Sequence, residues 1–135
     1  MLFRSGAFVA GLDAGRGFNT WPLMHGQFMA DAATMIDPWY MNLVENGVMI
    51  QFVHRWIGAL ILAGVILFLL LSWKQPRLVL PCQLLVVVTI VQFALGVLTL
   101  LQAVPVGLGA LHQAVAVILV LNLVFIVYRV SGHEG

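Results

Sequence analysis

Charged residues are scarce in this chain of 135 residues. Asp, Glu, Lys and Arg together make up 8% of it, whereas 62% of the residues are hydrophobic. Because water-soluble domains usually carry about 25% charged residues, the composition excludes an ordinary soluble domain and predicts a membrane protein. The formal net charge is only +1 and the six basic residues are scattered, which excludes a nucleic-acid-binding surface.

Cysteine is almost absent as well. The single cysteine, Cys82, lies in an apolar run, so the chain has neither an intrachain disulfide nor a thiolate metal site. We interpret Cys82 as a small buried hydrophobe.

The N-terminus has no signal-peptide pattern, because Arg4 is followed by only a brief apolar run before Gly11 and Asp13 interrupt it. We expect residues 1–14 to be the outer end of a truncated helix.

Three apolar segments are each long enough to cross a bilayer, which takes roughly 20 residues. We place them at residues 48–73, 79–103 and 107–130. The short turns between them are typical of antiparallel neighbours. The expected fold is an all-α membrane protein, a single bundle over residues 1–135 with three full transmembrane helices and the truncated N-terminal one.

Residues 11–47 are rich in Gly, Pro, Asn, Asp and Trp and have no sustained periodicity, so we predict an extramembrane loop there. Lys74, Arg77 and Arg129 lie near the opposite ends of the spans. Because cytoplasmic loops carry an excess of basic residues, we predict that the long loop lies on the outer side of the membrane.

Two histidines lie inside the spans, where an ionisable side chain is a functional-site hypothesis by default. At 1.5 Å per residue, His54 lies roughly 30 Å above Lys74, and His112 roughly 26 Å above Arg129. Both spans run in the same direction, so the two imidazoles are predicted at one depth. Such a pair is typical of the axial ligands of a haem iron held inside a helix bundle.

Other interpretations of these histidines remain open. A lone histidine near a helix end is more often an interfacial polar residue bonded to a carbonyl or to water. The matched depth of two histidines favours ligands. Zinc is less favoured than haem, because two imidazoles leave zinc short of protein ligands.

The neighbours of the two histidines suit a haem. Gly58 and Ala116 follow them by one helical turn, and their small size leaves room for a flat ring. Gln51 and Arg55 in the first span, with Gln113 in the last, are placed to neutralise propionates or to orient an imidazole N–H.

The remaining polar side chains in the spans are given no chemistry. Three of them are expected to join helices by hydrogen bonds: Gln83, Gln92 and Asn122. Gly96 marks a close helix contact, and His25 and His133 are expected on the solvated surface.

Several short runs carry a family resemblance. They are GAFVAGLDAGR at residues 6–16, NTWPLM at 19–24, Glu45-Asn46, QFVHR at 51–55 and LHQ at 111–113. Together they resemble the haem A synthase family over nearly the whole chain.

That resemblance implies an eight-helix protein made of two pseudo-symmetric four-helix halves, of which this chain is similar to the second. It implies oxidation of the haem O methyl group to the formyl of haem A, by successive hydroxylations, for terminal oxidase assembly. In the family the first half is associated with the substrate haem O and the second with a bound haem b. The resemblance therefore assigns His54 and His112 to the iron of haem b.

The resemblance assigns no catalytic residue. The first half of family members typically carries a catalytic glutamate three residues before its first histidine, and Gln51 holds the corresponding position here. Glu45 lies farther from His54, beyond a helix turn, and is not given that role.

The resemblance also implies a place in the bacterial plasma membrane, or in the mitochondrial inner membrane of a eukaryote. The expected partners are lipid, haem, and either a separate N-terminal half or a second copy of the chain. Two other functions stay open: a non-catalytic b-type haem module that carries electrons, and an oxidase assembly scaffold without haem.

Overall fold

The computed structural model of the chain describes residue 9 and residues 14–132. Three long helices dominate it: α1 is Gly47–Ser72, α2 is Pro76–Leu101 and α3 is Val106–Val130. All three are long and apolar enough to cross a membrane. The prediction of three transmembrane helices is therefore confirmed, with ends close to those expected. The predicted truncated helix lies outside the described residues except at Val9 and Ala14, and so does His133.

The helices alternate in direction because tight connections join them. Residues 73–75 connect α1 to α2, and residues 102–105 connect α2 to α3. α2 packs against both α1 and α3. Consequently α1 and α3 run the same way, and both begin at one end of the bundle, which we call the loop end.

The apolar core lies toward the end opposite the loop end. Its buried members are Cys82 and Leu85 of α2 with Leu119 and Ile126 of α3. In lipid, close packing rather than exclusion of water holds helices together, so this cluster fixes α2 against α3. Cys82 is 1% exposed, which confirms its interpretation as a small buried hydrophobe.

Residues 14–46, the described stretch directly before α1, form a loop of short turns, as predicted. It contains three 3₁₀ turns and a single helical turn: Ala14–Arg16, Asp31–Thr34, Trp39–Met41 and Asn42–Glu45. Asn46 ends the loop and caps α1, because its side-chain oxygen accepts hydrogen bonds from the N–H groups of Val48 and Met49. The Asn46 amide also donates to the carbonyl of Ala32 at 2.7 Å, which ties the loop to the start of α1.

The connection between α2 and α3 is conformationally strained. Ala103 has φ +58° and Val104 has φ +60°, the left-handed region that side chains with a Cβ disfavour and β-branched residues disfavour most. The N–H of Val104 donates to the carbonyl of Thr99 at 2.9 Å. This geometry turns the Val104 side chain toward the interior of the loop end, where it lines a cavity.

We predict that Ala103→Gly stabilises the protein. Ala103 is exposed, so the change removes no packing. The left-handed conformation costs an L-residue roughly 1–2 kcal/mol, and glycine removes this cost. Part of the gain in stability is lost again, because glycine has greater conformational freedom in the unfolded chain. We expect a net gain of about 0.5–1 kcal/mol, measured as a higher thermal unfolding midpoint in detergent.

Ala110→Gly is the matched control, because Ala110 is an exposed helical residue of α3. There glycine is expected to cost about 0.5–1 kcal/mol and to lower the midpoint. A lower midpoint for Ala103→Gly as well would contradict the assignment of strain to this turn.

Candidate functional site

The two histidines predicted as a pair lie together at the loop end. His54 and His112 are each about two turns from the start of α1 and α3. Their ring centroids are 6.4 Å apart, and the ring planes are inclined at 80°. The structure therefore brings the two imidazoles close together across the bundle, in an edge-to-face arrangement.

A cavity of about 150 Å³ lies between the helices, and both imidazoles line it. Trp21 from the loop and Val104 from the α2–α3 connection line it as well. The Trp21 ring meets the Phe93 ring of α2 edge-on at a centroid distance of 5.5 Å. Pockets for drug-sized ligands usually measure about 300–1,000 Å³, so a tetrapyrrole enters this cavity only if lining groups move.

One face of α1 supplies much of the cavity wall. Gln51, His54, Arg55 and Gly58 all line the cavity, at spacings that place residues on one side of a helix. A Cβ at Gly58 would lie 3.8 Å from the Phe93 ring, an ordinary contact distance. Together with His112 of α3, five of the seven predicted cofactor-binding residues therefore line the cavity, and their role in binding stays a prediction.

Arg55 and Gln51 hold the loop that precedes α1 over this wall. The Arg55 guanidinium donates to the carbonyl of Thr20 at 2.7 Å and to the carbonyl of Phe18. The Gln51 amide donates to the same Phe18 carbonyl at 3.3 Å. The guanidinium carbon also lies 6.0 Å from the centroid of the Trp21 ring, within cation–π range. We call these contacts the loop clamp.

The other two predicted cofactor-binding residues are placed differently. Gln113 is exposed and Ala116 is half-buried, and neither is among the residues that line the cavity. Gln113 directly follows His112, and consecutive helical residues point about 100° apart. Both therefore remain predictions without a contact at this site.

Helix α2 contributes two residues to the site that the sequence does not place there. The Gln92 side-chain nitrogen lies 3.3 Å from Nε2 of His112, and a Cβ at Gly96 would lie 3.0 Å from Cε1 of the same ring. Gln92 thus joins α2 to α3, as expected, but through a predicted ligand. By contrast, Gln83 is exposed, and Oδ1 of Asn122 has no hydrogen-bond partner among the described residues.

Several buried polar atoms around the cavity have no hydrogen-bond partner within the described part of the chain. They are Oε1 of Gln51, Nε of Arg55, Oε1 of Gln92 and Nδ1 of His112. Buried polar groups in native proteins are nearly always paired. Their convergence on one cavity is typical of a binding site for a partly polar ligand.

The donor set fits a haem better than a bare metal ion. Within residues 14–132 and at residue 9, no group of three His, Cys, Asp or Glu side chains is arranged to hold a metal, whereas haem iron needs only axial ligands from the protein. Two imidazole nitrogens, each about 2 Å from one metal, put their ring centroids roughly 6 Å apart. The separation of 6.4 Å between His54 and His112 agrees with that spacing.

Comparison with known proteins identifies the family of the chain. A family model described as "Cytochrome oxidase assembly protein" matches residues 2–124. The chain is 42% identical to a heme A synthase of Bartonella henselae over 118 residues, which are 82% of this chain and 32% of that protein. It is 43% identical to a heme A synthase of Nitrosospira multiformis over 126 residues, 88% of this chain and 34% of that protein.

A heme A synthase of Flavobacterium psychrophilum is 42% identical over 132 residues, 93% of this chain and 39% of that protein. No solved structure is significantly similar to the chain. The chain thus spans about a third of the length of the first two relatives. Since the family model covers almost all of its residues, the chain belongs to the cytochrome oxidase assembly protein family.

Proposed function

We propose that this chain holds a b-type haem between His54 and His112. The observation that carries the proposal is the imidazole pair, 6.4 Å apart across a cavity inside the bundle. The unpaired polar atoms of Gln51 and Arg55 at the same cavity supply hydrogen-bonding capacity for the polar edge of such a ligand. A haem bound there would supply one-electron chemistry, with its potential set by the axial ligands and by burial.

We further propose that the chain is the cofactor-holding part of a heme A synthase, an oxidoreductase that converts the methyl group of haem O to the formyl group of haem A. Relatives with that name support this proposal. So does Gln51, because an amide at this position does not transfer protons as a carboxylate does. The substrate haem O would then be bound by another part of the complete protein.

Arg55 serves this function by positioning the loop. Two of its guanidinium nitrogens are engaged by backbone carbonyls of Phe18 and Thr20, so the loop clamp takes up much of its hydrogen-bonding capacity. Only Nε is left without a partner among the described residues. Propionate neutralisation, expected from the sequence, is thus at most a second role of this side chain.

The proposed location is the bacterial plasma membrane, with the loop end facing outward. Lys74 and Arg129 lie near the opposite helix ends, which the excess of basic residues in cytoplasmic loops favours. Many large apolar side chains of the three long helices are exposed, as expected for surfaces that face lipid or another helix. A separate N-terminal half or a second copy of the chain is the proposed protein partner.

The ligand assignment is tested by His54→Ala and His112→Ala. We expect each variant of the purified chain to lose the low-spin reduced-minus-oxidised spectrum of haem b and to stay in the membrane fraction, because the apolar spans are unchanged. His25→Asn is the control. His25 is an exposed loop residue with φ +51°, which asparagine tolerates, so its spectrum should be that of the wild type.

Wild-type spectra in both alanine variants would refute the ligand assignment. A wild-type chain that binds no haem at all would instead favour the haem-free assembly scaffold.

The loop clamp is tested by Arg55→Lys beside Arg55→Leu. A lysine keeps the charge but cannot reach two carbonyls with a planar fork. We therefore expect both variants to speed proteolytic cleavage within residues 18–30 several-fold, measured on protein in detergent micelles. If the lysine variant were as resistant as the wild type, charge rather than the clamp would be the role of Arg55.

The catalytic proposal is tested in a bacterium that lacks its own heme A synthase. We expect the chain alone to produce no haem A, measured by pyridine haemochrome spectra of membranes. Co-expression with the part of the Nitrosospira multiformis relative that this chain does not cover is expected to restore haem A. Haem A from the chain alone would overturn the need for a partner. No haem A with the partner, despite normal haem b, would favour an electron-carrying module.

A further inference from the structure

Gln92 is a polar side chain of the cavity that the proposed function leaves without a role. It lies in the apolar helix α2 and is only 7% exposed. Its amide nitrogen lies 3.3 Å from Nε2 of His112, and its Oε1 has no partner among the described residues. A buried amide in an apolar span is costly unless polar contacts compensate for its lost hydration. Among the described residues, the polar contact of the Gln92 side chain is with His112.

The contact selects one protonation form of the imidazole. An amide nitrogen can only donate a hydrogen bond, so Nε2 of His112 accepts and keeps its lone pair. In the neutral ring the proton then resides on Nδ1. Gln92 therefore presets the tautomer in which Nε2 is able to bind a metal.

The backbone of α2 holds the ring in the same position. A Cβ at Gly96 would lie 3.0 Å from Cε1 of His112, and 3.6 and 3.7 Å from Nδ1 and Nε2. The edge of the ring that carries both nitrogens thus faces α2 at a point where a Cβ would require the ring to shift by a few tenths of an ångström. Gln92 and Gly96, one helical turn apart on α2, thus both contact the imidazole of His112 and fix its position.

One lone pair cannot accept the amide hydrogen and bind iron at the same time. We propose that Gln92 is a positioning residue that holds His112 ready in the haem-free protein and releases it when haem b binds. This inference rests on the proposed function, because it assumes that His112 is a haem ligand. The small cavity agrees with it, since loading requires lining groups to move.

The direction of the expected change in haem affinity follows from the state in which the hydrogen bond between Gln92 and His112 exists. A contact made only in the haem-free protein stabilises that state alone, so its removal favours the loaded state. One net hydrogen bond corresponds to roughly a twofold to tenfold change in an equilibrium constant. We therefore expect Gln92→Leu to bind haem b roughly twofold to tenfold more tightly than the wild type.

The experiment titrates haem b into the purified 135-residue chain in detergent and records the Soret band. Gln83→Leu is the matched control, because it makes the same change on the exposed face of the same helix, and its affinity should equal that of the wild type. The Gln92→Leu spectrum should keep its low-spin shape, since Gln92 is not an iron ligand. Equal or weaker binding by Gln92→Leu, or a high-spin spectrum, would overturn the inference.

A second measurement needs no haem. The ¹⁵N chemical shifts of the His112 ring in the haem-free protein should show a proton on Nδ1 in the wild type and a mixture of tautomers in Gln92→Leu. The same tautomer population in both proteins would overturn the positioning role. Failure of the wild type to bind haem b would refute the proposed function itself, whereas wild-type binding with an unaltered Gln92→Leu affinity would refute only this inference.

Discussion

The absence of water from the apolar part of a bilayer is the constraint on which the arrangement of the three helices depends. A polar group there is costly unless it finds a partner within the protein or a ligand. The bundle meets this constraint by placing its buried apolar side chains and its buried polar side chains toward opposite ends. Apolar side chains around Cys82 fill one end, and polar side chains gather around His54 and His112 at the other. The surfaces left for lipid are therefore apolar.

Hydropathy and helix rise predict well where residues lie along the helix axes of this fold. The three spans and the common depth of His54 and His112 depend only on how far each residue lies along its helix. Rotation about the helix axis and the choice of neighbour are different, because they depend on packing between helices. The sequence therefore predicts Gln92 and Gly96 as helix-contact residues but not their placement at the ring of His112, which depends on α2 lying beside that ring.

The loop before α1 shows that contacts between residues far apart in the sequence are equally hard to predict. Arg55 stands beside a predicted ligand, which suggests a role toward ligand charges, yet its guanidinium bonds to carbonyls of Phe18 and Thr20. Those carbonyls belong to a segment without regular secondary structure, where backbone acceptors need partners from elsewhere. An arginine at the edge of a span is well suited to supply them, because it offers five donors in a rigid fork. Composition alone does not reveal which loop acceptors it reaches.

The strained connection between α2 and α3 has a consequence for the beginning of the described chain. Val104 lines the cavity, and a Cβ added at Gly15 would lie only 2.5 Å from one of its methyl groups. Two stretches far apart in sequence thus touch at the same rim, with no space for a side chain between them. Widening that rim for a larger occupant displaces both stretches together, so the filling of the cavity is mechanically coupled to the start of the loop at Gly15.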